Sequence, residues 1–313
     1  MNKSDSIYIA GHTGLIGSAC IRYLESNGFT NIILADHADL ELTNQLEVLS
    51  FFKKNSPKYV ILAAGRVGGI LENQNYPADF LNSNLSIQVN VFKAAHAVDV
   101  RKIIFFASSC MYPRYCSQPM PETILLSGNP EPTSLAYAIS KIAGLQLCLA
   151  YNQQYKEQRF IPVIPCSVYG PNDNFDPNSG HVLSSLIHKF HEARSNKANK
   201  VVLWGSGNPR REFIYSDDIA AASIKLLTDD TSLLHLPVNI GTGSDYSISE
   251  LAEKIAHLVE YAGEICWDTS KPDGAPRKLL DSSRIREFGW SPMMILDDGI
   301  RKTYEWYLAN LFE

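Results

Sequence analysis

Tyr137 and Lys141 are a pair whose types and spacing can do chemistry. They lie four residues apart in Tyr137-Ala138-Ile139-Ser140-Lys141, so a helix would stack them on one face. A phenol beside an ammonium is drawn toward its ionised form and can give or take a proton near neutral pH. Upstream, Ser108 and Ser109 follow the apolar run Lys102–Ala107, where a strand end would present a hydroxyl to the same ligand. Alone, the Tyr–Lys spacing is common and describes many surface pairs. Together with the serines and a glycine loop it describes a proton-donating triad.

That loop is Gly11-His12-Thr13-Gly14-Leu15-Ile16-Gly17, between the apolar run Ile7–Ala10 and a helical stretch from about Leu15 to Asn27. Glycines there let backbone N–H groups approach a pyrophosphate, and a helix N-terminus adds partial positive charge. Gly11, Thr13, Gly14, Leu15, Ile16 and Gly17 are therefore candidate dinucleotide contacts. The spacing is GxxGxxG instead of the commoner GxGxxG, and close packing alone can also ask for such glycines. After the second apolar run comes Ala35-Asp36-His37. An acidic residue there can accept from a ribose 2′-OH, as NAD offers, whereas a basic one can meet the 2′-phosphate of NADP. Asp36 points one way and His37 the other, and Asp36 could simply cap the turn that follows.

The elements that must position these groups alternate along the chain. Short apolar strands at Ile7–Ala10, Ile32–Ala35, Tyr59–Ala63, Lys102–Ala107 and Phe160–Pro165 are separated by helical stretches at 15–27, 43–55, 82–98 and 136–155. This pattern predicts βαβ units, a buried parallel sheet and right-handed crossovers, a doubly wound α/β fold. After Tyr169-Gly170-Pro171 the alternation weakens into an Asn/Asp/Pro/Gly-rich loop. A helix at Val182–Arg194 and a strand at Val201–Trp204 follow. Phe213–Tyr215 and Val238–Ile240 read either as late strands of the main sheet or as small pairings beside it, and the chain closes on an aromatic helix with Tyr304, Trp306 and Tyr307. The organisation expected is a dinucleotide-binding domain over 1–170, rejoined by about 212–243, and a smaller C-terminal α/β lobe from 171–211 and 244–313.

A net charge of −5, with no block of Lys or Arg, argues against sequence-independent nucleic-acid binding. No stretch reads as the roughly 18 apolar residues of a membrane span. The six cysteines contain no CxxC pair and read as reduced thiols of a cytoplasmic protein. His188 and His191, three apart, lack a third ligand motif and read as helix surface, so no metal is expected.

The sequence becomes more specific in longer stretches: GHTGLIGSA (11–19), RVGGILENQNYPADF (66–80), SSCMYP (108–113), EPTSLAYAISKIAG (131–144), YGPNDNF (169–175), FHEA (190–193), WGSGNPRREF (204–213) and KPDGAPRKLLD (271–281). Over nearly its whole length the chain resembles the GDP-L-fucose synthases, extended short-chain dehydrogenase/reductases with a Rossmann-type domain. The resemblance implies C3/C5 epimerisation of GDP-4-keto-6-deoxy-D-mannose and NAD(P)H-dependent reduction at C4. It makes Ser108, Tyr137 and Lys141 the reductase triad, and Cys110 and His181 the epimerisation pair. It also implies that Ala63, Ala64, Lys141, Pro165, Val168 and His181 contribute to the cofactor wall. Ser109, Lys189, Trp204 and Arg211 would meet the GDP-sugar. Two-group epimerisation is chemically reasonable, because the C4 ketone acidifies C3 and C5 and inversion needs removal on one face and return on the other. Without the resemblance Cys110 reads as a core thiol, His181 as a helix cap, and the basic and Trp residues as surface charge and packing. NADPH is the expected cofactor, with NAD possible because Thr13 and His37 stand where the family carries arginines. A homodimer through the helices around 82–98 and 136–155 is implied as well. The alternatives are a 4-reductase of another GDP-4-keto sugar, such as a GDP-colitose synthase, and a non-catalytic dinucleotide-binding regulator.

Overall fold

Strand and helix alternate from the start of the computed structural model, which describes residues 1–232 and 234–310. In order come β1 (Ile7–Ala10), α1 (Leu15–Ser26), β2 (Ile32–Ile33), α2 (Gln45–Asn55), β3 (Tyr59–Leu62), α3 (Ile70–Asn75), α4 (Pro77–Ala97), β4 (Lys102–Phe106), α5 (Leu135–Tyr155) and β5 (Phe160–Pro165). There follow β6 (Ser167–Tyr169), α6 (Val182–Ser195), β7 (Lys200–Trp204), β8 (Arg210–Tyr215), α7 (Ser216–Thr228), β9 (Val238–Ile240), β10 (Asp245–Ser247), α8 (Ile248–Val259), β11 (Glu264–Asp268), β12 (Arg277–Lys278), α9 (Ser283–Glu287) and α10 (Leu296–Ala309).

Six strands form one parallel sheet in the order β2-β1-β3-β4-β5-β9. The order reverses between β1 and β3, and such a switch point opens a crevice at the strand C-termini. The inner strands are apolar on both faces because helices cover both: Ile7, Ile9, Val60, Ile61, Ile104, Ile161, Val163 and Ile164 are all fully buried. β2 is shorter than the expected Ile32–Ala35. It is an edge strand, and the Asp36 carbonyl accepts from the N–H groups of Asp39 and Leu40, a turn that draws the chain off the sheet. α4 begins earlier than expected, at Pro77, a residue suited to a first helical turn.

Two later strands resolve the choice left open by sequence. β9 returns to the large sheet, with α7 packed on α1. β8 instead centres a small sheet, antiparallel to β10 and parallel to β6 and β12. β7 and β11 form a separate parallel pair. α6, α8 and α10 enclose a second core around Leu183, Ile187, Phe190, Leu251, Ile255 and Ile300.

Two expectations need correction. By length and composition, the helix over 132–155 passes the test for crossing a membrane, with a mean hydropathy of 1.2. It packs against α4 on one side and against β4 and β5 on another, and a helix packed on more than one side is apolar around much of its circumference. His188 and His191 are also not free surface. Their Nδ1 atoms meet the hydroxyls of Tyr307 and Tyr304, each at 2.9 Å, tying α6 to α10. No metal-binding group of three His, Cys, Asp or Glu occurs among the described residues.

Candidate active site

Every residue the sequence put forward as catalytic, cofactor-binding or substrate-binding lines one cleft of about 1100 Å³, walled by both cores. At one end, Gly11 takes φ +79°, and a Cβ on it would lie 2.7 Å from the Ala64 backbone nitrogen. A Cβ on Gly17 would lie 2.1 Å from the Gly11 carbonyl oxygen, so this glycine is needed for helix-to-loop packing. Gly14 differs: its Cβ position is nearly open, with only the Gly11 oxygen at 3.6 Å. It is the N-cap of α1, no side chain caps the helix, and the first turn carries no acid. The amides there suit a pyrophosphate, so the loop fits a dinucleotide.

The 2′ position of such a ligand would meet a mixed set of charges. His12 Nε2 lies 3.3 Å from Asp36 Oδ1, and His37 Nε2 lies 3.0 Å from Glu41 Oε2. Asp36 serves its turn through its backbone carbonyl, leaving its carboxylate toward His12.

Deeper in the cleft, α5 delivers Tyr137 and Lys141 beside Ser108, which follows β4. Lys141 is buried and donates to the Phe106 carbonyl at 2.8 Å, its Nζ 5.7 Å from the Tyr137 ring centroid. Burial pulls its pKa down to about 8. Tyr137 departs from the sequence reading. Burial, and then the charge of Cys110, push its phenol up, while a hydrogen bond with Ser108 opposes them. Lys141 gives one of its N–H groups to the backbone, and in the protein alone desolvation dominates the phenol. Gly65 makes room here, since a Cβ on it would lie 2.9 Å from Asn84 Oδ1 and 3.7 Å from Lys141 Nζ. Asn84, wholly buried, pairs with the N–H and carbonyl of Arg66 and holds that loop in place.

Cys110 lies in the 3-10 turn Ser109–Met111, its N–H donating to Ser108 Oγ at 3.2 Å. Ser109 is buried in the same turn. Lys278 on β12 donates to Cys110 Sγ at 3.3 Å. Burial opposes the thiolate, but the Lys278 charge and hydrogen bonds from Ser108, Lys278 and Ser134 outweigh it, and the thiol pKa is lowered. His181 is the N-cap residue of α6, yet its side chain does not cap the helix. Its Nδ1 faces Asp173 Oδ1 at 3.0 Å, and Ser184 Oγ donates to the other carboxylate oxygen. Its ring opens onto the cleft while protein surrounds the rest. Burial there works against the imidazolium, but Asp173 and then Cys110 prevail, and the imidazole pKa is raised.

At the far end, Lys189 and Lys271 place ammonium groups 5.8 and 5.4 Å from the Trp204 ring centroid. Trp204 is half exposed. Arg211 donates to the Arg210 carbonyl at 2.8 Å and makes no ion pair among the described residues. Burial weakens its hold on its proton, so an anion beside it would gain a largely desolvated partner.

Residues 7–241 match the model of the NAD dependent epimerase/dehydratase family. The chain belongs to that family. It is 50% identical over 310 residues to GDP-L-fucose synthase 1 of Arabidopsis thaliana, covering 99% of this chain and 95% of that protein. It is 45% identical over 311 residues to the GDP-L-fucose synthase of Escherichia coli K12, covering 97% of both. Among solved structures, a GDP-mannoheptose C4 reductase from Campylobacter jejuni with NADP bound superposes with a TM-score of 0.89. The two are 37% identical, over 98% of this chain and 99% of that one. The epimerase/dehydratase match ends just past β9, so Lys278 lies outside it. Sequence reasoning missed Lys278, Asp173 and Asn84. Lys278 and Asp173 sat within the quoted stretches 271–281 and 169–175, but only folding brings them to Cys110 and His181.

Proposed function

We infer that this chain is a GDP-L-fucose synthase-type enzyme: it epimerises C3 and C5 of GDP-4-keto-6-deoxy-D-mannose and then reduces C4 with NADPH. The observation carrying this reading is that Cys110 and His181, each with its own charged partner, open onto the same cleft as Ser108, Tyr137 and Lys141. A pure reductase needs only the second set.

The opposite shifts of the pair suit opposite tasks. Cys110, held toward thiolate, removes a proton from the carbon beside the ketone. The C–H electron pair moves onto the carbonyl oxygen as an enolate, and S–H forms. His181, held toward imidazolium, returns a proton to that carbon from the other face and becomes neutral. Ser108 and Tyr137 hydrogen-bond the oxygen throughout. Bound NADPH supplies the hydride for C4. The raised pKa of Tyr137 keeps it protonated, as the donor to O4 must be, and Lys141 and Ser108 stabilise the phenolate left behind. The glycine loop holds the pyrophosphate, with Ala63, Ala64, Pro165 and Val168 walling the dinucleotide. Arg211, Lys189 and Trp204 take the diphosphate and guanosine of the substrate.

The large sheet is thus the cofactor lobe and the small one the nucleotide-sugar lobe. We also propose a homodimer through α4 and α5, supported by the exposure of Ile139 and Tyr155 on α5. A cytoplasmic location is supported by six free thiols.

The test is incubation with GDP-4-keto-6-deoxy-D-mannose in D2O, followed by addition of NADPH and NMR of the product. Deuterium at C3 and C5 and a GDP-L-fucose product are expected. Exchange at C5 alone would move the assignment to a colitose-type reductase, and reduction without any exchange would defeat the epimerase half.

A further inference from the structure

We propose that Lys278 is a positioning residue for epimerisation acting through Cys110: its ammonium keeps the sulfur in the thiolate form that takes the sugar proton. This rests on the assignment of Cys110 to epimerisation. The contact is 3.3 Å from Nζ to Sγ, and the backbone enforces it. β12 runs parallel to β8 with Lys278 opposite Arg211. The segment carrying Lys278 is stitched to the loop that follows the Cys110 turn: Met120 N–H donates to the Leu279 carbonyl at 2.8 Å and Asp281 N–H to the Met120 carbonyl at 2.9 Å. Gln118 bridges the same two segments, accepting from Leu279 N–H at 2.9 Å and donating to the Arg277 carbonyl at 3.3 Å. A lysine on a mobile stem is thereby anchored at its root on both sides.

The groups facing Cys110 come from several elements. Tyr137 on α5, His181 ahead of α6 and Arg211 on β8 all feel its charge; Ser108 and Ser134 add neutral hydrogen bonds, and Lys278 is the charged group that hydrogen-bonds Sγ. Asp173 engages His181, and Tyr137 has no charge to lend. Without Lys278, burial would favour the neutral thiol, a poor base. With it, the step balances: the thiolate accepts the proton as S–H, the electron pair passes to the ketone oxygen, and Lys278 stays charged throughout.

The experiment follows alkylation of the full-length protein by iodoacetamide from pH 5.5 to 9.5, with Cys110 read by peptide mass spectrometry. In this reaction sulfur bonds the methylene carbon and iodide leaves. The Cys110 rate should rise at lower pH than that of Cys116, which burial pushes up. In Lys278→Met the Cys110 inflection should move up by about 1–2 pH units, and Lys278→Arg should largely restore it. The acid limb of D2O exchange should move with it, while reduction of an already epimerised ketone keeps its pH profile. NADPH binding by fluorescence checks that each variant is folded. An unchanged Cys110 inflection in Lys278→Met overturns the proposal, and a raised KM in that case would mark Lys278 as a substrate-phosphate ligand. If Cys110→Ser leaves exchange intact, the epimerase reading fails although the thiol measurement still reports the Lys278–Cys110 coupling.

Discussion

Tyr137 and Lys141 come from adjoining turns of one helix and Ser108 from the neighbouring strand end, whereas Cys110 (in the turn Ser108 caps), Lys278 on β12, and Asp173 with His181 in the loop before α6 come from three separate segments. The difference extends to their electrostatics. In the triad burial dominates, keeping Tyr137 protonated and easing the proton off Lys141. In the proposed epimerisation pair partner charges and hydrogen bonds override burial, pushing Cys110 toward thiolate and His181 toward imidazolium. A desolvated acid is what reduction needs, and a base opposite an acid is what inversion needs. One cleft supplies both because charge partners can be added locally without exposing the whole site to water.

That contrast can be broken most forcefully at Tyr137. Tyr137→Phe should lower C4 reduction by about a thousandfold, in the range of lost general acids, while D2O exchange at C3 and C5 persists. Loss of both would mean that the two sets act as one. Next, Asp173→Asn should reduce epimerisation by about tenfold to a hundredfold and move the alkaline limb of its pH profile to lower pH. The sign follows from His181: its raised pKa depends on Asp173, so without that carboxylate the imidazolium is lost earlier as pH rises. The limbs belong to the coupled Cys110–His181 pair and should be fitted so.

A packing change tests the triad's dependence on its helix. A Cβ at Gly144 would lie 2.4 Å from Gln88 Oε1 and 2.5 Å from Phe105 Cζ, where α5 seats on α4 and β4. Gly144→Ala should cost about 1–3 kcal/mol in chemical denaturation. It should disturb reduction more than Cys110 alkylation, and equal losses would erase the regional difference. The smallest effect is expected at the cofactor's 2′ end. Asp36→Ser should raise the preference for NADPH over NADH by a few fold, measured as the ratio of dissociation constants, because it removes a carboxylate facing His12. An unchanged ratio would leave selectivity to His37 and Glu41.

The legibility of the molecule follows the same division. The glycine loop, the Tyr–Lys spacing and the alternation of apolar strands with helices are local patterns, and each forms close to its expected place. β2 is shorter because an edge strand is held from one side only, and a turn can peel it away. The small sheet was hardest to read. β6, β10 and β12 have two or three residues each, too few for an alternating pattern to stand out, and their pairing with β8 is decided by packing. The expected lowering of the Tyr137 pKa by Lys141 failed for a related reason: spacing places two groups on one face but does not say how much water remains or where the lysine spends its hydrogen bond.

The sequence by itself determined the doubly wound sheet, the glycine loop and the Tyr137–Lys141 spacing, because these depend on periodicities and spacings within a few turns of chain, whereas Cys110 and His181 were singled out only through the resemblance of longer stretches. Only the tertiary structure decided the company those groups keep. It set Lys278 against Cys110 and Asp173 against His181, and it buried Tyr137. Contact and desolvation arise when distant segments close on one another, and they determine which proton each group holds.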